Sequence, residues 1–397
     1  MLAYLFCFLL GSVLGFLAIE FADRWGCSKR YHSPLPKEII IAFLCGIGAA
    51  LLYWQEWKTI TNLWETEGFL IPGFWKNGTN PFVTYWFSLH IIFFTFLLAA
   101  TLTDFYETII PDSITVTGTI AALLLAVYYP VTSLPTISSM HTGYYAGNNI
   151  GVFCAPLNVW SPNFFPIHEW RASTYTPNDF IILLSLITLL WWFWCFAMLD
   201  RVWYAKLPFR KAHAIFWRYL YRSPRTKYMI AAALMMPLLF VGSVGAAEIF
   251  LNNIHSGFTL ISSLVGMVTG MVLIWSIRLV SRYILGVEAM GFGDVTLMGM
   301  IGAFLGWQAA LLIFFIAPFF GLIYGIFNLL LGKGRAVPYG PFLCLATVFV
   351  VVFWSPIWSA TAEYFAFGIG IIGLGLLVLL FLFAGLLHMV HKIIPPQ

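Results

Sequence analysis

Charged residues are scarce in this sequence. Only 9% of its 397 residues are Asp, Glu, Lys or Arg, whereas about a quarter are charged in an ordinary soluble domain. This scarcity, together with a hydrophobic content of 61%, excludes a water-soluble globular fold. The formal net charge of +4 gives no indication of a nucleic-acid partner, and none is predicted. The expected surroundings of most of the chain are the lipid bilayer.

Cysteine is also sparse. The sequence has six cysteines, none of which forms a CxxC pair or has a neighbouring His at metal-ligand spacing. We therefore predict no metal site and no cofactor. Only two of the six fall in polar segments, and these two are expected on opposite sides of the membrane, so a disulfide framework is not expected. The cysteines are Cys7, Cys27, Cys45, Cys154, Cys195 and Cys344.

Apolar segments recur along the whole chain at lengths that suit a hydrocarbon core of about 30 Å. The segment at 295–331 is too long for one crossing, and Gly306-Trp307-Gln308 predicts a turn that divides it. The prediction is an all-α polytopic membrane protein with about eleven transmembrane helices. The segments lie at about 1–22, 38–54, 81–103, 113–130, 178–199, 229–251, 259–286, 295–331, 340–357 and 364–390.

The positions of the basic residues predict the orientation. With the N-terminus outside and the C-terminus cytoplasmic, all but three of the 20 Lys and Arg residues face the cytoplasm, where such residues are retained during insertion. The three exceptions are Lys58, Lys76 and Arg171. The first apolar run lacks both a basic leader region and a small-residue cleavage site, and is expected to stay as a span.

This topology predicts seven consecutive regions. The basic segment at 200–227 favours a positive-inside anchor, although its aromatic residues also suit a helix lying on an anionic leaflet. The regions are a two-span N-terminal part with a short cytoplasmic loop (1–54), an external loop (55–80), two spans that carry Asp104 (81–130), a second external loop (131–177), spans that flank the basic segment (178–258), core spans (259–357) and a C-terminal span (358–397).

Acidic residues at span ends are candidates for chemistry, because a charge near the membrane interior is costly. Asp104 ends the third span, and Pro111 stops the chain from continuing as a helix before the next span. Asp294 follows Gly291 and Gly293, which let the backbone bend and approach another helix or a substrate chain closely, and it is expected at the entrance of a helix. Each aspartate alone also suits an ordinary role, as a solvated boundary residue or a helix cap.

Taken together, the two aspartates predict a specific chemistry. The span count places Asp104 and Asp294 at the same depth on the cytoplasmic side. Two carboxyls in a restricted, partly dry site cannot both ionise easily, so one keeps a proton. The ionised carboxyl can act as general base to a water that attacks a peptide carbonyl, while the protonated one polarises that carbonyl. The pattern predicts aspartic protease chemistry at a membrane surface.

Three segments of the chain resemble the type IV prepilin peptidases, a family of GxGD-type membrane aspartic proteases. Residues 104–112 are similar to D-x-x-x-x-(I/L)-(I/L)-P-D, residues 288–294 to E-A-M-G-x-G-D, and residues 337–341 to (I/V)-P-(F/Y)-G-P, in the family's order. The resemblance implies that Asp104 and Asp294 are catalytic. Residues predicted to shape the site or to contact the substrate leader are Glu107, Pro111, Asp112, Glu288, Gly291, Gly293, Pro338, Gly340 and Pro341.

The resemblance also implies the substrate and the membrane. Type IV prepilins and pseudopilins have a short basic leader, a glycine before the cut and a hydrophobic helix after it, and they are processed at the bacterial cytoplasmic (inner) membrane. Many family members carry two CxxC pairs between the first two spans, associated with N-methylation of the product. The loop at 23–37 has a single cysteine, so methylation is not expected; Thr296 also replaces a common basic residue.

Other classes of function use similar residues. A proton-coupled transporter could use the same carboxylates and glycine-broken helices, although neither an inverted repeat nor a midplane acidic residue is evident in the sequence. Proteases of the signal-peptide-peptidase or presenilin type share GxGD, but have Pro-Ala-Leu where this chain has Pro338-Tyr-Gly-Pro341. A membrane anchor without catalysis would leave the paired aspartates without a reason.

Overall fold

A computed structural model describes residues 2–25, 35–67, 81–128, 134, 136–138, 153–155, 177–199, 209–242, 254–285, 290–331, 338–365 and 368–393. These residues fold almost wholly into helices. The helices are α1 (Leu2–Trp25), α2 (Leu35–Glu67), α3 (Pro81–Glu107), α4 (Asp112–Tyr128), α5 (Pro177–Ala197), α6 (Phe209–Arg222), α7 (Pro224–Gly242), α8 (Ile254–Leu285), α9 (Phe292–Leu305), α10 (Trp307–Leu330), α11 (Gly340–Val352), α12 (Trp354–Phe365) and α13 (Gly368–Ile393).

Five of the described helices, α1, α2, α3, α8 and α10, are long and apolar enough to cross a bilayer. Large apolar side chains on α1, α2, α10 and α13 are exposed at the protein surface, where lipid rather than water would cover them. The chain is a multi-pass membrane protein, and its predicted helical class is confirmed. The number of eleven spans and the sides of the two termini stay predictions.

The second predicted external loop contains the departure from an all-helical chain. Strand β1 (Thr136–Ser138) pairs with strand β2 (Phe153–Ala155) in antiparallel fashion, with Ile137 opposite Cys154. Three-residue strands are too short to give the sequence a clear alternating pattern, so the pair was not predicted. Half of the first predicted external loop and most of the second lie outside the described residues.

The Cα positions group into two compact units, one of Met1–Phe165 with Phe258–Gln397 and one of Pro166–Gly257. In the second unit, the indole N–H of Trp192 on α5 donates to the carbonyl of Ala233 on α7 at 2.9 Å. That carbonyl is available because Pro237, one helical turn later, has no N–H to donate to it. The basic segment of this unit forms α6, a helix with opposed polar and apolar faces.

The predicted division of the long apolar segment is confirmed at Gly306. Helix α9 ends at Leu305 and α10 begins at Trp307, and Gly306 between them has φ 86°, which a glycine adopts at little cost. Gln308, whose polarity helped to indicate the break, is fully buried in the first turn of α10.

Two helices depart from the predicted apolar segments. The second segment was expected to end near residue 54, and the part of α2 that suits a membrane span ends close by at Lys58, but the helix itself continues to Glu67. Polar residues after residue 54 mark where the apolar surface ends, and the helix continues through them because neither glycine nor proline occurs between residues 54 and 67. Hydropathy therefore located the edge of the apolar surface and missed the end of the helix.

The other departure is in the predicted span at 340–357, which was expected to be continuous and is interrupted at Phe353 between α11 and α12. Pro356 cannot donate to the carbonyl of Val352, so the helical hydrogen bond between them is lost. The side-chain Nε2 of Gln55 on α2 donates to that Val352 carbonyl instead, at 3.2 Å. A proline in the first turn of α12 thus separates two helices that hydropathy alone joins.

Helix α3 holds the first unit together, since it contacts α1, α2, α4 and α11. Helix α9 packs on α4, where Gly118 lies against the side chain of Met300, and almost all of α9 is buried. This packing brings the last turn of α3, the start of α4, the start of α9 and the start of α11 into one region.

Helices α8 and α9 approach each other at backbone distance. Gly266 and Gly302 face each other so closely that a Cβ on either would overlap the other's carbonyl oxygen, and Gly270 lies in the same way against the carbonyl of Met298. Such glycine contacts let helices pack tightly within a membrane.

A methyl group at this crossing should therefore separate the two helices. We expect Gly302→Ala to lower the free energy of unfolding by about 1–3 kcal/mol, the usual cost of overpacking. Thermal unfolding in detergent measures the change. Gly325→Ala on α10 is the matched control, because no atom lies within 4 Å of the added Cβ. Equal unfolding midpoints for the two variants would contradict the described crossing.

A buried polar pair joins α2 to α3. His90 Nδ1 lies 2.5 Å from Glu56 Oε1, and the two residues are 3% and 8% exposed. Their other polar atoms, His90 Nε2 and Glu56 Oε2, are buried and have no hydrogen-bond partner in the described part of the chain. Loss of either side chain would therefore leave the other one buried without this hydrogen bond.

Breaking this pair should be costly. We expect His90→Leu to destabilise the protein by about 3 kcal/mol, because it leaves a buried carboxyl without its partner. The double variant Glu56→Leu/His90→Leu should regain much of that stability, since it removes both polar groups together. Thermal unfolding of the single and double variants compares them; a double variant no more stable than His90→Leu would show that the pair is not the cause.

Candidate functional site

Asp104 lies in the last turn of α3, and its side chain is only 4% exposed. The helix ends because Thr108 takes a left-handed conformation, with φ 55°, and donates its N–H to the Asp104 carbonyl at 2.9 Å. The chain then runs extended to Pro111, whose carbonyl accepts the N–H of Ile114 at 3.1 Å as α4 begins. This compact turn fixes the end of the helix that carries Asp104.

Asp294 lies in the first turn of α9 and is 7% exposed. Its Oδ2 accepts the backbone N–H of Gly291 at 3.2 Å, so the carboxyl folds back on the glycine segment before the helix. The position suits a carboxylate, because unpaired N–H groups at a helix N-terminus stabilise negative charge. The sequence analysis predicted this helix entrance, and the structure confirms it.

The turn between α3 and α4 contacts both other motif segments through Ile110, a buried residue. A Cβ added at Gly293 would lie 2.8 Å from the Ile110 Cβ and 3.0 Å from its carbonyl oxygen, and one at Gly340 would lie 2.7 Å from the Ile110 Cδ1. Glycine at these two positions is what allows Ile110 to sit between them. The three segments found in the sequence therefore meet at one place.

Asp104 and Asp294 belong to this same place. The Asp104 carboxylate lies against Gly340, whose backbone N–H is directed toward it, and the charge of Asp104 acts on Asp294. Asp104 Oδ2 is buried and has no hydrogen-bond partner among the described residues. Two carboxyls in a common desolvated site can hold one proton between them, which is the arrangement needed for combined acid and base chemistry.

The other described residues that were predicted for the site lie next to it in the chain. Pro111 and Asp112 start α4, Glu107 ends α3, and Pro338 and Pro341 flank Tyr339 and Gly340. Glu288 lies outside the described residues. The contributions of Glu107, Asp112 and the two prolines stay predictions. Among the described residues, no group of three or more His, Cys, Asp or Glu is arranged to hold a metal ion.

The structure adds three side chains that the sequence analysis did not assign to the site. Arg278 of α8 is 8% exposed, its guanidinium carbon lies 5.8 Å from the ring centre of Phe292, and its charge acts on Asp294. Cys344 of α11 has a buried thiol close enough to both aspartates for their charges to act on it. The charge of Asp294 acts in the same way on the Tyr339 hydroxyl. An arginine within an apolar span was a usable signal for Arg278; Cys344 and Tyr339 depend on tertiary packing.

Comparison with known proteins gives a consistent result. The model of the type IV leader peptidase family matches residues 226–326, a stretch that includes Asp294 but neither Asp104 nor Gly340. Curated proteins named prepilin leader peptidase/N-methyltransferase match too. That of Aeromonas salmonicida is 32% identical over 124 residues, 30% of this chain and 40% of the relative. That of Pseudomonas aeruginosa is 30% identical over 141 residues, 35% of this chain and 46% of the relative.

The similarity thus extends over less than half the length of these relatives. No solved structure matches the chain. The resemblance of this chain to the type IV leader peptidase family, first indicated by its three short segments, is confirmed over a stretch that includes Asp294.

Proposed function

We propose that the chain is an intramembrane aspartic endopeptidase that removes the basic leader from type IV prepilins or pseudopilins. The observation that carries the proposal is that two buried carboxyls, Asp104 and Asp294, come from helices far apart in the sequence and lie close enough for the charge of one to act on the other. Relatives named prepilin leader peptidase/N-methyltransferase support the substrate class. The site is proposed to face the cytoplasm at the inner membrane, the side assigned by the basic residues.

The proposed hydrolysis uses the one proton that the two carboxyls share. The ionised carboxyl accepts a proton from a water molecule, and the water oxygen attacks the carbonyl carbon of the scissile peptide bond. The protonated carboxyl gives its proton to the carbonyl oxygen, so a neutral tetrahedral diol forms. The carboxyl that took the water proton then protonates the amide nitrogen, and the other carboxyl takes the proton of one diol hydroxyl as the C–N bond breaks and a C–O double bond is restored. Water and one peptide bond are consumed, and a carboxylic acid and an amine are formed.

The membrane position of the site suits this substrate class. A hydrophobic helix held in the bilayer would present its basic leader at the cytoplasmic face, where Asp104 and Asp294 are proposed to lie. Glu107, Asp112 and Glu288 would add negative charge at that face and attract the leader. The short loop at 23–37 supports a peptidase that does not methylate its product, in contrast to the second activity in its relatives' name.

The test is cleavage of a prepilin by the purified chain in detergent, with the products identified by mass spectrometry. We expect one cut, directly after the leader glycine, and no cut when that glycine is replaced with a bulky residue. If several prepilins and pseudopilins all remain intact, the proposed substrate class is wrong. Proton uptake by reconstituted vesicles would then favour the transporter alternative, which uses the same carboxylates.

A further inference from the structure

Tyr339 is placed at the site by the backbone around it. Its carbonyl accepts the N–H of Phe342 at 3.0 Å and that of Leu343 at 3.3 Å, so the residue forms the start of α11. The next residue, Gly340, lies against the Asp104 carboxylate. Tyr339 is thus fixed at the start of α11, and the next residue in the chain, Gly340, lies beside Asp104, one of the two proposed catalytic residues.

The side chain of Tyr339 reaches toward the other aspartate. Its ring is half-buried, its hydroxyl oxygen is buried, and that oxygen has no hydrogen-bond partner among the described residues. Burial, and after it the charge of Asp294, raises the pKa of the Tyr339 hydroxyl above its ordinary value. The hydroxyl therefore keeps its proton throughout the neutral range and remains a hydrogen-bond donor.

A buried donor that is unused in the resting enzyme is costly, and such groups are expected to find a partner. We propose that Tyr339 is a catalytic residue whose hydroxyl donates a hydrogen bond to the carbonyl oxygen of the peptide bond being cut. This inference rests on the proposed proteolytic function. The donor keeps its proton throughout and forms no bond to the substrate; it stabilises the negative charge that gathers on the carbonyl oxygen as water attacks.

The expected contribution is moderate. The family segment (I/V)-P-(F/Y)-G-P accepts Phe at this position, so the chemistry can proceed without the hydroxyl. A hydrogen bond to a developing charge is worth about 10-fold to 100-fold in rate. The negative charge develops only as water attacks and is absent from bound substrate. Loss of the hydrogen bond should therefore lower kcat and leave KM nearly unchanged.

The experiment compares Tyr339→Phe with the wild type in the cleavage of one prepilin, with kcat and KM measured separately. We expect kcat to fall about 10-fold to 100-fold, with KM changed less than about threefold. Tyr324→Phe is the matched control, since that ring packs on Phe342 at 5.5 Å between ring centres and its loss of a hydroxyl should leave kcat unchanged. Unfolding midpoints of all three proteins confirm that folding is retained.

A second readout separates catalysis from structure. A prepilin peptide whose scissile carbonyl is replaced with a tetrahedral CH(OH) group resembles the attacked state, and Tyr339→Phe should weaken its binding while substrate KM stays the same. Wild-type kcat in Tyr339→Phe, or an effect confined to KM, would overturn the role of Tyr339 and leave the proposed protease standing. If the wild type cuts no prepilin, the proposed function itself fails, and this inference fails with it.

Discussion

Replacing either Asp104 or Asp294 with Asn is expected to lower the kcat of the proposed prepilin cleavage by about 10³-fold or more. Asn has nearly the same shape as Asp, so the packing around these two buried residues should survive. The amide can neither take a proton from water nor give one to the carbonyl oxygen. Each variant removes one half of an acid–base pair, so neither remaining carboxyl can complete the reaction alone.

The measurement is initial cleavage rate at saturating substrate, with the unfolding midpoint of each variant taken in the same detergent. Glu20→Gln is a suitable control. Glu20 lies near the end of α1 that the predicted topology places at the cytoplasmic side, and it is not assigned to the site. Its cleavage rate should match that of the wild type. A folded Asp104→Asn or Asp294→Asn enzyme with near-normal kcat would show that the changed aspartate has no catalytic role.

The second large effect is expected from Gly340→Ala. The added Cβ would overlap the Asp104 carboxylate and lie 2.7 Å from the Ile110 Cδ1, so the carboxylate or the turn that carries Ile110 must shift. Misplacing a catalytic group by about 1 Å can cost about 10²-fold in rate. We therefore expect kcat/KM to fall about 10²-fold, although no polar group has been removed.

Cleavage kinetics test this prediction beside Gly325→Ala, whose added Cβ meets no atom within 4 Å and should leave kcat/KM unchanged. Gly293→Ala should behave like Gly340→Ala, because it displaces Ile110 from the other side. If Gly340→Ala retains wild-type kcat/KM, then Asp104 is not held against residue 340 during the reaction.

The parts of this structure that local sequence determines could be predicted. The lengths of the apolar runs predicted most of the described spans, and Gly306 predicted the break between α9 and α10. The glycines before Asp294 predicted the start of a helix there. The placing of Asp104 and Asp294 at one membrane depth came from counting spans. The shared depth stays a prediction; the structure shows that the two side chains lie close enough for the charge of Asp104 to act on Asp294.

Features that depend on contacts between distant segments could not be predicted. The carbonyl freed by Pro356 is satisfied by Gln55, a residue from a different helix, so the α11–α12 break has no local signal beyond one proline. In the same way, Tyr339 looks like an ordinary aromatic in a proline-rich turn until packing buries its hydroxyl near Asp294. Hydropathy records composition along the chain and contains no information on which helices become neighbours.

The most direct test of the central claim, that Asp104 and Asp294 form one site, is cross-linking in membranes. Asp104→Cys and Asp294→Cys would be combined in a chain freed of its six native cysteines, including Cys344 beside the site. A short dithiol-reactive cross-linker should join this pair. It should not join a Ser88→Cys/Asp294→Cys pair, whose first member is exposed on α3 and lies about 24 Å along that helix from Asp104. Equal cross-linking of the two pairs, or none of either, would contradict the account.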